Sequence, residues 1–158
     1  MNIGKRIVIL AVGLAVLSQA AMAQSLDLVD KALATQKFNT FLSLLTDAGL
    51  TFTLKEPGPY TIFAPTDAAF NAKYTKGQLD SLRAEPARLR AILLHHVVLG
   101  RVDAVAAVKG RTLHPMQGPA IPTGIVGGRG TIGGAHYVVT NVSASNGMIQ
   151  GIDQVLVP

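Results

Sequence analysis

The chain has 158 residues, a length for one domain, and no cysteine, so disulfides and thiolate metal sites are both excluded. Its 14 lysines and arginines against 9 acids give a net charge of +5. With three tyrosines, five phenylalanines and no tryptophan, it lacks the interleaved aromatic platforms of a nucleic-acid binder, and that function class is set aside.

In chain order, Lys5 and Arg6 form a positive n-region, Ile7 to Leu17 an apolar run too short to span a bilayer, and Ala21-Met22-Ala23 a small-x-small cleavage site. Together they predict a secretory signal peptide over residues 1–23. Cleavage there leaves 158 − 23 = 135 residues, a single domain over 24–158, and lowers the charge from +5 to +3 because two bases and no acids are removed. A domain of this size can rely on its own core without disulfides. No cysteine follows the cleavage site, so the expectation is an exported protein, periplasmic or extracellular, without a lipid anchor of the usual bacterial kind.

Apolar residues at three- and four-residue steps predict helix from Ser25 to Ala48, with Ser25 or Asp27 as its cap, a break at Asn39-Thr40, and Gly49 as its end. Leu50 to Leu54 reads as a short strand, followed by a turn over Glu56-Pro57-Gly58-Pro59. Tyr60 to Phe70, YTIFAPTDAAF, reads as a strand that stops at Pro65 and enters a helix capped by Thr66 or Asp67. A polar linker over Lys73 to Gly77 precedes a short helix from Gln78 to Arg83. The next helix starts at Pro86, with Leu89, Ile92 and Leu93 facing inward and Arg83, Arg88 and Arg90 on a solvated face. His95 and His96 read as neighbours on a strand, pointing to opposite faces, which argues against a shared metal; no zinc-like ligand spacing surrounds them. Asp103 to Lys109 is a short helix. Gly127-Gly128, Gly133-Gly134 and Asn146-Gly147 are hairpin turns among the valine- and isoleucine-rich strands of the last third. No phosphate-loop glycine pattern opens a helix, and no GxSxG elbow holds the serines.

Three blocks carry a resemblance. YTIFAPTDAAF, LLHHVVLG (Leu93 to Gly100) and NGMIQGIDQVLVP (Asn146 to Pro158) stand in the order of the signatures of the fasciclin domain family, extracellular adhesion modules, and the resemblance spans roughly Leu26 to Pro158. It implies an α+β fasciclin-like fold: a wedge of two β-sheets with several helices packed alongside. It also implies that His96 is buried and hydrogen-bonded to the Thr66-Asp67 corner, with Pro65 fixing the turn, and that Asp153 orients backbone. His95 stands where the family commonly has tyrosine.

The expected function is therefore a non-enzymatic, exported module for cell adhesion or for contact with a cell-surface or matrix protein or polysaccharide. Its contact surface is expected around His95, Val97, Leu99 and Arg101. No catalytic residue, metal site or cofactor is expected. The alternative is a carrier of an apolar small molecule of carotenoid type, which fasciclin-like proteins are known to bind.

Overall fold

The computed structural model describes residues 26–110 and 112–158; the signal peptide expected at 1–23 lies outside them. In chain order the elements are α1 (Leu28–Thr35), α2 (Asn39–Asp47), α3 (Thr51–Lys55), β1 (Tyr60–Pro65), α4 (Asp67–Lys73), α5 (Lys76–Arg83), α6 (Pro86–Leu94), β2 (Val97–Leu99), α7 (Ala104–Lys109), β3 (Thr112–Leu113), β4 (Ile121–Val126), β5 (Arg129–Ile132), β6 (Ala135–Ala144) and β7 (Gly147–Ile152).

The front half is helical for local reasons. Asp27 caps α1 by accepting the Asp30 N–H, and the helix stops where Gln36 turns left-handed at φ 57°. The break expected at Asn39-Thr40 thus falls three residues earlier, and α2 begins at Asn39. The strand expected at Leu50 to Leu54 is a helix. Strand period would bury residues 50, 52 and 54 together; instead Leu50 and Leu54 are buried while Phe52 is 82% exposed. Four-residue spacing fits those two contacts, and Lys55 ties α3 to α1 through Asp27 and Asp30, both at 3.2 Å. α5 begins inside the expected polar linker because Thr75 and Gln78 form a reciprocal capping box. Arg83 is not simply solvated: its guanidinium lies 2.8 Å from Asp47 and 3.3 Å from Asp80.

The strands run in the order β2-β1-β7-β6-β5-β4-β3. β1 pairs parallel with β7 and antiparallel with β2, and all six of its residues are enclosed, so it is buried on both faces. Tyr60, Ile62 and Ala64 pack with Phe41, Leu44, Phe70 and Leu93 in a core between helices and sheet. Phe63, pointing the other way, packs with Val98, Ala107, Leu113, Ile121, Ile132, Ile152 and Leu156. That second core draws on both ends of the strand order, so the sheet curls on itself. The curl is fastened where Met116 N–H donates to Val97 O at 2.8 Å and Val98 bridges Pro115. The fold is α+β with helices packed alongside, as expected, and its strands join in one hydrogen-bonded order. β6 is the shared strand, meeting β5 at Ala135 and His136 and β7 from Tyr137 to Ala144.

Two hairpin turns lie where expected. Gly127-Gly128 and Gly133-Gly134 have φ of 59°, 76°, 55° and 86°, which glycine adopts without strain. The third is displaced by one residue. Ser145-Asn146 makes the turn and Gly147 already belongs to β7, where a Cβ would meet Tyr60 O of β1.

Candidate functional site

The three signature blocks meet in one junction, partly open to solvent at Thr66, Asp67 and Asp153. Pro65 closes β1 opposite Ile152, and the next amide, Thr66 N–H, donates to Ile152 O at 3.1 Å. The Thr66 hydroxyl caps α4 by accepting Ala69 N–H. Asp67 does something the local sequence does not announce. α2 has no side-chain cap of its own at Phe38, and the Asp67 carboxylate supplies one from a distance, accepting Thr40 N–H at 2.7 Å and Asn39 Nδ2 at 3.3 Å. A carboxylate suits that place because the first turn of a helix carries orphan N–H groups and a partial positive charge.

His96 is fully buried but does not bond to this corner, which corrects the pairing expected from the resemblance. Its Nδ1–H donates to Ile92 O at 2.7 Å, and its Nε2 accepts Leu156 N–H at 2.9 Å. The reason is geometric: the ring follows the last turn of α6, where the carbonyl four residues back is within reach. The ring is thereby fixed as the neutral Nδ1–H tautomer. Burial pushes its pKa down to about 4, against a smaller opposing effect of the bond to Ile92. The His96 carbonyl accepts Phe63 N–H at 2.8 Å, so this residue joins all three blocks.

The expected contact surface is also corrected. His95 is the C-cap of α6, not a strand residue; it is buried, and its Nδ1–H donates to Gln117 O at 3.1 Å. Val97 is wholly buried, because β2 lies between β1 and the 115–116 segment. Leu99, at 65%, and Arg101 are exposed. Arg101 is nonetheless tethered, donating to Ser143 Oγ at 3.0 Å and Ala144 O at 2.7 Å.

Two residues of the last block were not singled out by sequence. Asn146 accepts Leu28 N–H at 2.9 Å and donates to Leu54 O and Glu56 O, both at 2.8 Å, pinning α1 and the end of α3 to the β6–β7 turn. Gln150, fully buried, accepts Asn141 N–H at 2.8 Å and donates to Asn141 Oδ1 at 2.8 Å and Val102 O at 3.2 Å. It fills the register shift of β6, where Asn141 is left-handed at φ 55°. Asp153 accepts His136 N–H at 2.8 Å, the backbone-orienting bond expected. Every polar side chain of the junction is thus engaged with backbone. Among the described residues, no cluster of histidine, aspartate and glutamate could hold a metal ion.

A second surface lies away from the blocks. Ala104, Val105, Val108 and Lys109 of α7 face Ile125 and Gly130 of the β4–β5 hairpin and Tyr137 of β6 across a groove of about 330 Å³. Val105 (61% exposed), Ile125 (66%) and Val126 (61%) stand in solvent here. Glycine at 130 lets the Tyr137 ring lie against the strand; a Cβ would come within 3.2 Å of it. The Tyr137 hydroxyl is buried without a hydrogen-bond partner, and burial pushes its pKa up to about 12.

This curled sheet, with helices over one face and a three-block junction, defines a fasciclin domain. The Fasciclin domain family matches residues 36–158, and the chain belongs to that family. It is 35% identical over 146 residues to protein sll1483 of Synechocystis, covering 91% of this chain and 80% of that one. It is 32% identical over 152 residues to the cell surface glycolipoprotein MPB83 of Mycobacterium bovis, covering 89% of this chain and 64% of that one. The fold is similar to a FAS1 domain pair from the insect cell adhesion molecule fasciclin I, with a TM-score of 0.69 and 17% identity, over 84% of this chain and 51% of that one.

Proposed function

We propose that this protein is an exported, non-enzymatic interaction module that mediates adhesion or contact with a cell-surface or matrix protein or polysaccharide. The observation that carries the reading is the division of labour between its two surfaces. The junction's polar groups, His96 and Gln150 buried and Thr66, Asp67, Asn146 and Asp153 partly so, are engaged with backbone, a scaffold role. Three exposed apolar side chains, Val105, Ile125 and Val126, gather instead on α7 and the β4–β5 hairpin, as at surfaces that meet a partner. Relatives whose names include a cell-surface glycolipoprotein and an adhesion molecule support it. The test is surface attachment by a strain lacking the gene, with and without purified protein added back. Reduced attachment, restored by the protein, is the expected result; unchanged attachment contradicts the reading.

One observation favours a second reading, the carrier of an apolar small molecule: the groove beside Tyr137 is apolar and open to solvent. Solvent extraction of protein purified from its own host, followed by mass spectrometry, tests it. A stoichiometric apolar compound supports the carrier, and a clean extract removes it.

A further inference from the structure

The acids and bases of this chain are distributed unevenly. Of the nine carboxylates, eight lie at or before Asp103 and the ninth is Asp153; residues 104–152 contain none, yet include Lys109, Arg111 and Arg129. In the helical half three of the eight bases form ion pairs: Lys55 with Asp27 and Asp30, Arg83 with Asp47 and Asp80, Arg88 with Glu85. Among the described residues, neither Lys109 nor Arg129 forms an ion pair. Arg129 reaches only the Tyr137 carbonyl at 3.4 Å. Asp103, the nearest acid in sequence, is at the opposite end of α7 from Lys109, accepting Ala106 N–H at 2.7 Å.

The same region carries the exposed Val105, Ile125, Val126 and Val138. Ile125 and Val126 point to opposite faces of β4, and both are solvent-exposed because they sit at the hairpin end, beside the Gly127-Gly128 turn. Val105 stands across the groove on α7. The result is an apolar fingertip with a basic flank, built from residues 104–152, which hold no carboxylate, with the exposed Asp103 just before α7.

From this arrangement we infer that the β4–β5 hairpin tip and α7 form a docking surface for an anionic lipid bilayer. Ile125, Val126 and Val105 enter the headgroup region, and Lys109 and Arg129 meet lipid phosphates. Charge complementarity selects this occupant. An anionic surface attracts unpaired cations within a Debye length, and apolar side chains add buried area once contact is made. A protein partner would ordinarily be matched by both signs of charge around an apolar centre, whereas residues 104–152, which supply this face, hold bases and no acid. The inference rests on the interaction-module reading and names what that face meets.

The chain has no tryptophan, so a single substitution gives a unique reporter. Ile125→Trp is mixed with vesicles of phosphatidylcholine alone or of phosphatidylcholine with phosphatidylglycerol. The expected result is a blue shift of its emission with the anionic vesicles only, reversed by high salt, with no shift for the control Phe52→Trp on the helical half. In co-sedimentation of the unsubstituted protein, Lys109→Ala and Arg129→Ala each lower binding to anionic vesicles about fivefold. Equal binding to both compositions, or a shift at Phe52→Trp equal to that at Ile125→Trp, overturns the proposal. Protein that restores attachment of the deletion strain but leaves vesicles unbound overturns the lipid surface and keeps the module. Protein that binds anionic vesicles but does not restore attachment contradicts the adhesion reading instead.

Discussion

The helical half and the strand half solve opposite problems. From Leu28 to Leu94 ion pairs at Lys55 and Arg83 join neighbouring helices, and phenylalanines 38, 41 and 70 are buried. From Ala104 to Gly147 strands predominate, turns are glycine-rich, and Val105, Ile125, Val126, Lys109 and Arg129 are left facing solvent. The junction between them is held by backbone bonds to His96, Asn146, Gln150 and Asp67. The contrast teaches that in this domain the most recognisable sequence blocks serve the scaffold, and the surface available to a partner lies in the less recognisable stretch.

That contrast can be broken at several points. The largest effect is expected in the helical core: Phe41→Ala removes a wholly buried ring that contacts Phe70 and His96 and should cost about 3–5 kcal/mol, measured by denaturant unfolding. A loss below 1 kcal/mol (on the order of a surface change) would mean the helices are not the scaffold. Next is the junction. His96→Ala leaves Leu156 N–H and Ile92 O without their partner and should cost roughly 1–3 kcal/mol; a melting temperature equal to wild type would contradict its role.

The same histidine gives a pH signature with a definite sign. Its folded pKa of about 4 lies below the ordinary 6.5, so the unfolded chain binds the proton first. The His96 contribution to stability is fully present above pH 6.5 and falls as pH drops towards 4, by about 1.4 kcal/mol per pH unit in the middle of that window. Unfolding of wild type and His96→Ala between pH 7.5 and 4 checks it: the two curves should converge as the pH falls. Parallel curves would show that the ring is not buried neutral.

Smaller still is the remote cap. Asp67→Ala removes the acceptor of Thr40 N–H and should cost about 0.5–2 kcal/mol, with the loss seen first as faster amide exchange at the start of α2. Uniform exchange changes across the domain would deny the local role. At the bottom of the scale, Arg129→Ala and Lys109→Ala should leave stability within about 0.5 kcal/mol, as surface changes without a partner do.

Much of the architecture was legible in the sequence because it rests on local signals. Pro65 stops a strand, Pro86 opens a helix, and paired glycines at 127–128 and 133–134 make turns, each through backbone preferences that travel with the residue. Leu50 to Leu54 misleads because its threonines favour a strand, while the contacts that decide for helix come from α1, far along the chain. The junction was legible only in outline. The sequence marks Thr66, Asp67 and His96 as residues that matter, but the partners of Asp67 and His96 are backbone groups 27 and 60 residues away. No spacing rule predicts such pairs. Asn146 was hidden by its neighbour: Asn-Gly announces a turn, and the announcement says nothing about a side chain that binds α1 and the end of α3. The exposed face escaped because exposure of Ile125 and Val126 depends on how far the hairpin projects, which composition does not reveal. His95 and Val97 were misplaced on a surface for the converse reason: the segment covering β2 arrives from residues 115–116.

The central claim is that the partner-facing surface is the strand-half face and not the signature junction. The most direct test adds purified wild-type protein, Ile125→Asp or Leu99→Asp back to a strain lacking the gene and measures surface attachment. Wild type and Leu99→Asp should restore attachment, and Ile125→Asp, folded by its unchanged melting temperature, should not. Full restoration by Ile125→Asp with failure of Leu99→Asp would contradict the account and return the contact surface to the edge of β2.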